Sequence, residues 1–304
     1  MENDVIELML VDAFTDEAFS GSPVGVVCEA DRLNDEQMQK VASELVVPAT
    51  GFVVGRTDES VKMRFYTRST AVEIDGQAAL AAVSALAWAG KLGSPDESST
   101  ITLDTLAGNF AVEIGPHPVC GVEVGLTFED IGFEPFGYSH DLLAGALGTS
   151  RHLIPDHWPL SVVRAGARAL AVPVSTREGL DAARPDHEAL VQLSAKTGVS
   201  RIMLYTWQGP TDLYCRGFAP AIGVPEEPVS ACGIAAVAAL VVHEHALQLS
   251  PPLSRLTAEQ GVILGRRGQA RIEVAHQDRE IGSVRMRGTA VKTMDARLLR
   301  PIGK

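Results

Sequence analysis

The residue of this chain best suited to chemistry is Cys232. It sits in the stretch EEPVSACGIAAVAALVV (226–242), where an acidic, proline-containing approach delivers Cys232 and Gly233 to a run from Ile234 to Val242 without a charged residue. A helix with no polar stripe is packed on all sides. Its first turn therefore lies inside the protein, where unpaired backbone N–H groups and the positive end of the helix dipole face whatever is bound there. A thiol in that position ionises more readily. The competing role is plain packing, since free cysteine is among the most buried residue types. That packing role is the expectation for Cys28, Cys120 and Cys215, read as core or strand residues.

A second stretch repeats the first. Asp75-Gly76-Gln77-Ala78-Ala79-Leu80-Ala81-Ala82-Val83 matches Cys232-Gly233-Ile234-Ala235-Ala236-Val237-Ala238-Ala239-Leu240 in character, about half a chain apart, and both follow strands with aromatic residues, Phe65-Tyr66 and Phe218. A repeat of that length predicts two related lobes, each around one buried helix; a solenoid would repeat every ~20–50 residues. Chance likeness of two alanine-rich helices is the alternative, because alanine is used so freely in helices. Asp75 and Cys232 open the two runs. Asp before a helix is a common plain N-cap.

Other residues gather around the two helix starts. Glu73 and Glu227 stand just outside them and are the reserve acid/base or ammonium-orienting groups, against the usual fate of glutamate as a solvated loop carboxylate. The backbone N–H groups of Gly76, Gln77, Gly233 and Ile234 form a natural carboxylate cradle, as helix N-termini bind anions without basic side chains. Ser22, Tyr66, Ser230 and Arg64 are candidates to line the site, with Arg64 equally suited to an ion pair. His243 and His245 are read as structural.

These residues need a large scaffold. The chain has 304 residues, 46% hydrophobic, with 28 glycines, enough for one large or two medium domains. A net charge of −12 and no basic block argue against a nucleic-acid partner. The acidic N-terminus lacks the features of a signal peptide, and no apolar run approaches the ~20 residues of a membrane span; the expectation is a cytoplasmic protein. Four cysteines without CxxC spacing, and His243 and His245 only two apart, give no metal site. Strands are expected at 6–14, 21–29, 46–55, 61–67, 101–106, 109–114 (with a turn at 115–118), 121–128, 159–164, 169–173 and 201–206, and then at 261–264, 270–275, 282–287 and 290–294. Helices are expected at 33–45, capped by Asn34 with Gln37 in the capping-box position, from 76 to about Gly90, at 141–147 and at 185–198. The segment DIGFEP (130–135) marks the boundary between an N-terminal lobe, 1–129, and a C-terminal lobe, 130–288, with residues 289–304 returning to the first.

Several segments resemble one family. VDAFTDEAFSGSPVGVV (11–27), RFYTRSTAVEIDGQAALAA (64–82), RGFAPAIGVPEEPVSACGIAA (216–236) and the Gln260–Gly265 element are similar, in order and spacing, to signature segments of the phenazine biosynthesis PhzF-like family. The resemblance implies an α+β fold of the diaminopimelate-epimerase type: two lobes, each a barrel-like sheet around a central helix, with the active site in the cleft between them. It further implies a homodimer that uses no cofactor and moves protons on small amino or imino acids.

The catalytic positions match less well. Ala49 stands where phenazine-type isomerases carry an acid/base glutamate, Gln77 where they carry a histidine, Glu73 and Glu227 where they carry aspartates. More distant epimerase relatives place one cysteine at the head of each central helix. Here Ala231-Cys232-Gly233 keeps the second of these elements, and Asp75-Gly76-Gln77 puts a carboxylate in the place of the first. Cys232 is then the better-motivated base and Asp75 the acid, with the roles exchangeable by substrate. The expected activity is a cofactor-independent isomerase shifting a proton or double bond in a small unsaturated amino- or imino-acid carboxylate of specialised metabolism, such as antibiotic biosynthesis or a pyrroline-carboxylate precursor of alkylproline units. The alternatives are an amino-acid racemase or epimerase using the same pair, or a binding protein that has kept the fold.

Overall fold

The computed structural model describes residues 5–93, 98–158, 160–244 and 251–298. It divides into two compact units, the first holding residues up to Thr127 and from Arg287 onward, the second Phe128–Met286.

The first unit contains β1 (Ile6–Ala13), β2 (Ser22–Val27), α1 (Asp35–Glu44), β3 (Ala49–Arg56), β4 (Ser60–Tyr66), β5 (Ala71–Val72), α2 (Gly76–Trp88), β6 (Ser99–Thr105), β7 (Gly108–His117) and β8 (Gly121–Phe128). The second contains β9 (Ile131–Pro135), α3 (His140–Leu147), β10 (Ser161–Ala165), β11 (Ala167–Pro173), α4 (Arg177–Ala182), α5 (His187–Thr197), β12 (Arg201–Trp207), β13 (Asp212–Ala219), β14 (Val224–Glu227), α6 (Ala231–His243), β15 (Leu253–Gln260) and β16 (Gly268–Gln277). A long last strand, β17 (Glu280–Leu298), starts in the second unit and ends in the first, antiparallel to β1.

In the first unit the strands close into an eight-stranded barrel, β1-β2-β3-β4-β6-β7-β8-β17 and back to β1, with β2/β3 and β4/β6 parallel. Helix α2 fills it, and every residue from Gly76 to Ala87 is buried. A small barrel has room only for small side chains, which explains the alanines. At Gly51 of β3 a Cβ would lie 3.2 Å from the Ala78 carbonyl, and at Gly288 of β17 it would press on Phe14 and Leu80. Helix α1 lies outside, over Leu8, Val27, Met38, Val41, Phe52 and Tyr66. Its capping box between Asn34 and Gln37 is present.

In the second unit the ladder runs β9-β10-β11-β12-β13-β15-β16, with β11/β12 and β13/β15 parallel. Helix α6 is buried from Ala231 to Val242. The other face of the sheet carries α3, α4 and α5 over a core that includes Leu143, Leu180, Leu190 and Phe218. This α+β architecture, with one charge-free helix enclosed by sheet in each unit, is the one the sequence leads one to expect.

Several local expectations change. The turn between β7 and β8 is at 118–120, where His117 Nδ1 accepts from Cys120 N–H, so Gly115 and Pro116 continue the strand. DIGFEP contributes strand β9 to the second unit. Helix α4 was not foreseen: at six residues it is too short to show a period. Residues 261–264 form a turn opened by Gly261 at φ +82°, and the strand precedes them. The pair of strands expected at 282–287 and 290–294 is one continuous strand. The acidic approach to Cys232 includes strand β14, and its carboxylates are neutralised: Glu226 takes a bidentate pair from Arg216, while Glu227 pairs with Arg201.

Candidate active site

The first unit supplies the head of α2. Asp75 is its N-cap; its Oδ1 accepts from Ala78 N–H at 2.9 Å, its carbonyl accepts from Ala79 N–H, and the residue is only 3% exposed. Gly76 and Gln77 form the buried first turn. Glu73, two residues before the cap, is exposed. Strand alternation decides what else faces this head. On β3, Gly51 packs on Ala78 and Phe52 packs under α1, so Ala49 points inward with Gly51, toward the helix start. By the same count Ser22 points inward from β2, and its buried hydroxyl has no hydrogen-bond partner among the described residues.

Alternation takes Tyr66 and Arg64 the other way. Met63 and Phe65 face the barrel interior, while Tyr66 packs in the cluster under α1 and donates its hydroxyl to Asp35 at 2.9 Å. Burial, then Asp35, pushes that hydroxyl up to about 12. Arg64 donates to the Met63 carbonyl. The structure thus removes Tyr66 and Arg64 from the α2 head, because a period of two puts them on the outer face.

The second unit supplies the head of α6. Here the N-cap is Ser230, whose carbonyl accepts from Ile234 N–H. In the frame of the hydrogen bonds, Ser230 corresponds to Asp75 and Cys232 to Gln77. The residue-type repeat that aligns Asp75 with Cys232 is therefore offset by two from the helical register. Ser230 makes no side-chain cap bond, and its fully buried hydroxyl has no hydrogen-bond partner among the described residues. Cys232 lies in the first turn, 0% exposed. Its Sγ faces Gly166, in the β10–β11 turn at φ +73°, where a Cβ would collide with Phe128 and sit 3.5 Å from the sulfur.

Beneath this head runs a polar layer. Glu227 Oε1 accepts from Arg201 Nε at 3.2 Å, both residues 2% exposed, and Glu227 Oε2 has no hydrogen-bond partner among the described residues. Glu227 is therefore a buried, ion-paired carboxylate and not a solvated loop residue. Gln260, for which no role was foreseen, bridges the Glu227 carbonyl and the Ser230 N–H. Gly233 leaves room for Met203: a Cβ there would lie 2.4 Å from Met203 Sδ and 2.8 Å from Ser230 Oγ. Ile234 is buried in the second turn of α6.

Two of the remaining thiols and the His243 imidazole have settings of their own. Burial pushes the Cys28 thiol up to about 11 and that of Cys215 to about 12. The His243 ring stacks on Phe133 and its Nδ1 lies 2.7 Å from the Arg279 carbonyl, a structural setting; His245 lies outside the described residues. No group of three His, Cys, Asp or Glu side chains that could hold a metal ion occurs among the described residues, nor is any helix among them long and apolar enough to cross a membrane. A cavity of about 1450 Å³ in the first unit borders the other end of α2, with Trp88, Lys91, Cys28 and Cys120 in its wall, and includes neither helix head.

Comparison with known proteins gives this geometry its context. Residues 11–296 match the family model described as phenazine biosynthesis-like protein. This chain belongs to the phenazine biosynthesis-like (PhzF) family. It is 32% identical to the uncharacterized isomerase YddE of Escherichia coli over 284 residues, 92% of this chain and 94% of that protein. It is 28% identical to the trans-2,3-dihydro-3-hydroxyanthranilate isomerase of Pseudomonas aeruginosa, covering 95% of this chain and 98% of that one. In fold it superposes on the PhzF-family phenazine biosynthesis protein of Bacillus anthracis with a TM-score of 0.86 at 22% identity, covering 97% and 99% of the two chains. The chain is an isomerase of this family, and the epimerase-like fold implied by the resemblance is the fold it has.

Proposed function

We propose that this isomerase moves a proton, and with it a double bond, within a small unsaturated amino- or imino-acid carboxylate, using Cys232 as one acid/base group and Asp75 as the other. The observation that carries the reading is the head of α6. A thiol in the first turn of a buried helix shares that helix head with the hydroxyl of its N-cap, Ser230 Oγ, and follows a strand that ends in a carboxylate oxygen, Glu227 Oε2, both buried and without hydrogen-bond partners among the described residues. Buried polar groups are nearly always satisfied, and an exception in a native structure calls for an explanation. A ligand with a carboxylate to accept from Ser230 and the first-turn N–H groups, and an N–H to donate to Glu227, satisfies both at once. That is the pattern of an amino or imino acid. The Pseudomonas aeruginosa relative, named for a dihydroanthranilate, supports the same class.

In the forward direction a thiolate at Cys232 takes a proton from one substrate carbon, the electron pair shifts along the unsaturated system, and a protonated Asp75 returns a proton to a second carbon. The two groups end with exchanged protonation states, and exchange with water resets them. Ala49 carries no ionisable group, so the step does not pass through its position. Specialised metabolism, including antibiotic biosynthesis, is the proposed setting.

Turnover in D2O with a panel of small unsaturated amino and imino acids tests the reading. Deuterium at a carbon remote from the one deprotonated supports isomerisation. Label confined to a single inverted centre assigns a racemase or epimerase instead, and absence of exchange with every compound overturns the proposal in favour of a binding protein.

A further inference from the structure

A side chain from outside bridges the two ends of the loop that presents Cys232. Gln260, at the end of β15, is 1% exposed. Its Nε2 donates to the Glu227 carbonyl at 2.8 Å and its Oε1 accepts from Ser230 N–H at 3.3 Å. These partners lie on either side of Pro228 and Val229, where the chain leaves β14 and turns into α6. An amide carries a donor group, its NH2, and an acceptor oxygen side by side, so it can pair with a carbonyl and an N–H of a chain that has left its ladder. The same pairing fixes which end of the amide is which.

Two features make this more than a packing contact. Ser230 caps α6 without using its side chain, so the position of the N-cap backbone rests on Gln260 and not on a serine cap bond. The hydroxyl at the head of the helix thereby has no hydrogen-bond partner among the described residues. Space for the amide is also reserved: at Gly217 a Cβ would lie 2.9 Å from Gln260 Nε2 and 2.9 Å from Met203 Sδ, the sulfur that also fills the space under Gly233. Gly217, Gln260, Met203 and Gly233 thus form one packed layer beneath the first turn.

We infer that Gln260 is a positioning residue for Cys232. Its amide sets the direction of the first-turn N–H groups of α6, and so the ease with which the thiol there gives up its proton. The inference rests on the proposed use of Cys232 but is tested without turnover.

The test is the rate at which methyl methanethiosulfonate modifies Cys232 in the full chain as a function of pH, read peptide by peptide by mass spectrometry, with thermal unfolding alongside. Gln260→Met removes both hydrogen bonds at similar volume. It is expected to slow Cys232 modification about tenfold at pH 7 and to raise the midpoint of its pH profile by about one unit, the equivalent shift, while Cys28 and Cys120 react as before. Gly217→Ala, which pushes the amide from behind, is expected to shift the profile in the same direction by less, and serves alone if Gln260→Met does not fold. A residue that only stabilised the fold would lower the melting temperature and leave the Cys232 midpoint in place; that result in the folded variants overturns the inference. A Cys232 that reacts at no pH in the wild-type chain overturns it together with the proposed function. Retained turnover in Cys232→Ser would overturn the proposed function alone and leave the Gln260 result standing.

Discussion

The heads of α2 and α6 are built from similar residues and used differently. At α2 the N-cap side chain does the capping: Asp75 Oδ1 holds Ala78 N–H. At α6 the N-cap backbone is held from outside by Gln260, and the cap side chain, Ser230, has no hydrogen-bond partner among the described residues. At the head of α2 one carboxylate oxygen is committed to the helix's own N–H; at the head of α6 the N-cap hydroxyl makes no such bond. Two enclosed helices can therefore share a sheet environment and still differ in chemical capacity, through where the capping bond comes from.

That contrast can be broken in several places. The largest effect is expected under α6, where Arg201→Met strips Glu227 of its buried partner. Removing one member of a buried pair costs ~3–5 kcal/mol, and the double variant Arg201→Met/Glu227→Leu should recover much of it. Urea unfolding of the two checks this, and equal stability of the single and double variants would show that the pair is not what shapes the layer. The caps come next. Asp75→Ala should cost ~1 kcal/mol, the usual worth of an N-cap bond, while Ser230→Ala should change stability far less, having no such bond to lose. A Ser230→Ala loss as large as that of Asp75→Ala would erase the distinction between the heads.

The smallest effect concerns the thiols outside the site. With burial holding Cys28 near 11 and Cys215 near 12, both remain protonated at pH 8.5, close to the midpoint of an ordinary cysteine. A soluble thiol reagent at that pH should label them far more slowly in the folded chain than in urea, with labelling accelerating only as pH rises toward those values. Equal rates in the two states would contradict the assignment.

Much of this was legible in the residues. The charge-free runs after Asp75 and Cys232 could only be enclosed helices, and Asn34 with Gln37 announced the start of α1 by its capping box. The fold followed from those runs together with the family resemblance. The register of the site did not. Asp75 and Cys232 align by residue type, yet the first i to i−4 hydrogen bond starts at Asp75 in one helix and at Ser230 in the other, and no residue pattern states which carbonyl begins a helix. Tyr66 looked like a lining residue until the alternation of β4 was anchored by Met63 against Gly51. Glu227 reads as a loop carboxylate because its partner, Arg201, is 26 residues away in sequence. Gln260 lay within a recognised element, but its role depends on contacts with Glu227 and Ser230 that only the folded chain creates.

The central claim is that proton transfer depends on Cys232. Its most direct test is solvent-deuterium exchange into a turned-over amino- or imino-acid substrate by wild type, Cys232→Ser and Asp75→Asn, the last retaining a side chain that can cap α2. The account predicts that Cys232→Ser loses ~10²–10⁴-fold of the exchange rate, the range for a positioned acid/base group, and that Asp75→Asn slows product formation while remaining as stably folded as wild type. Exchange at the wild-type rate in Cys232→Ser would contradict it.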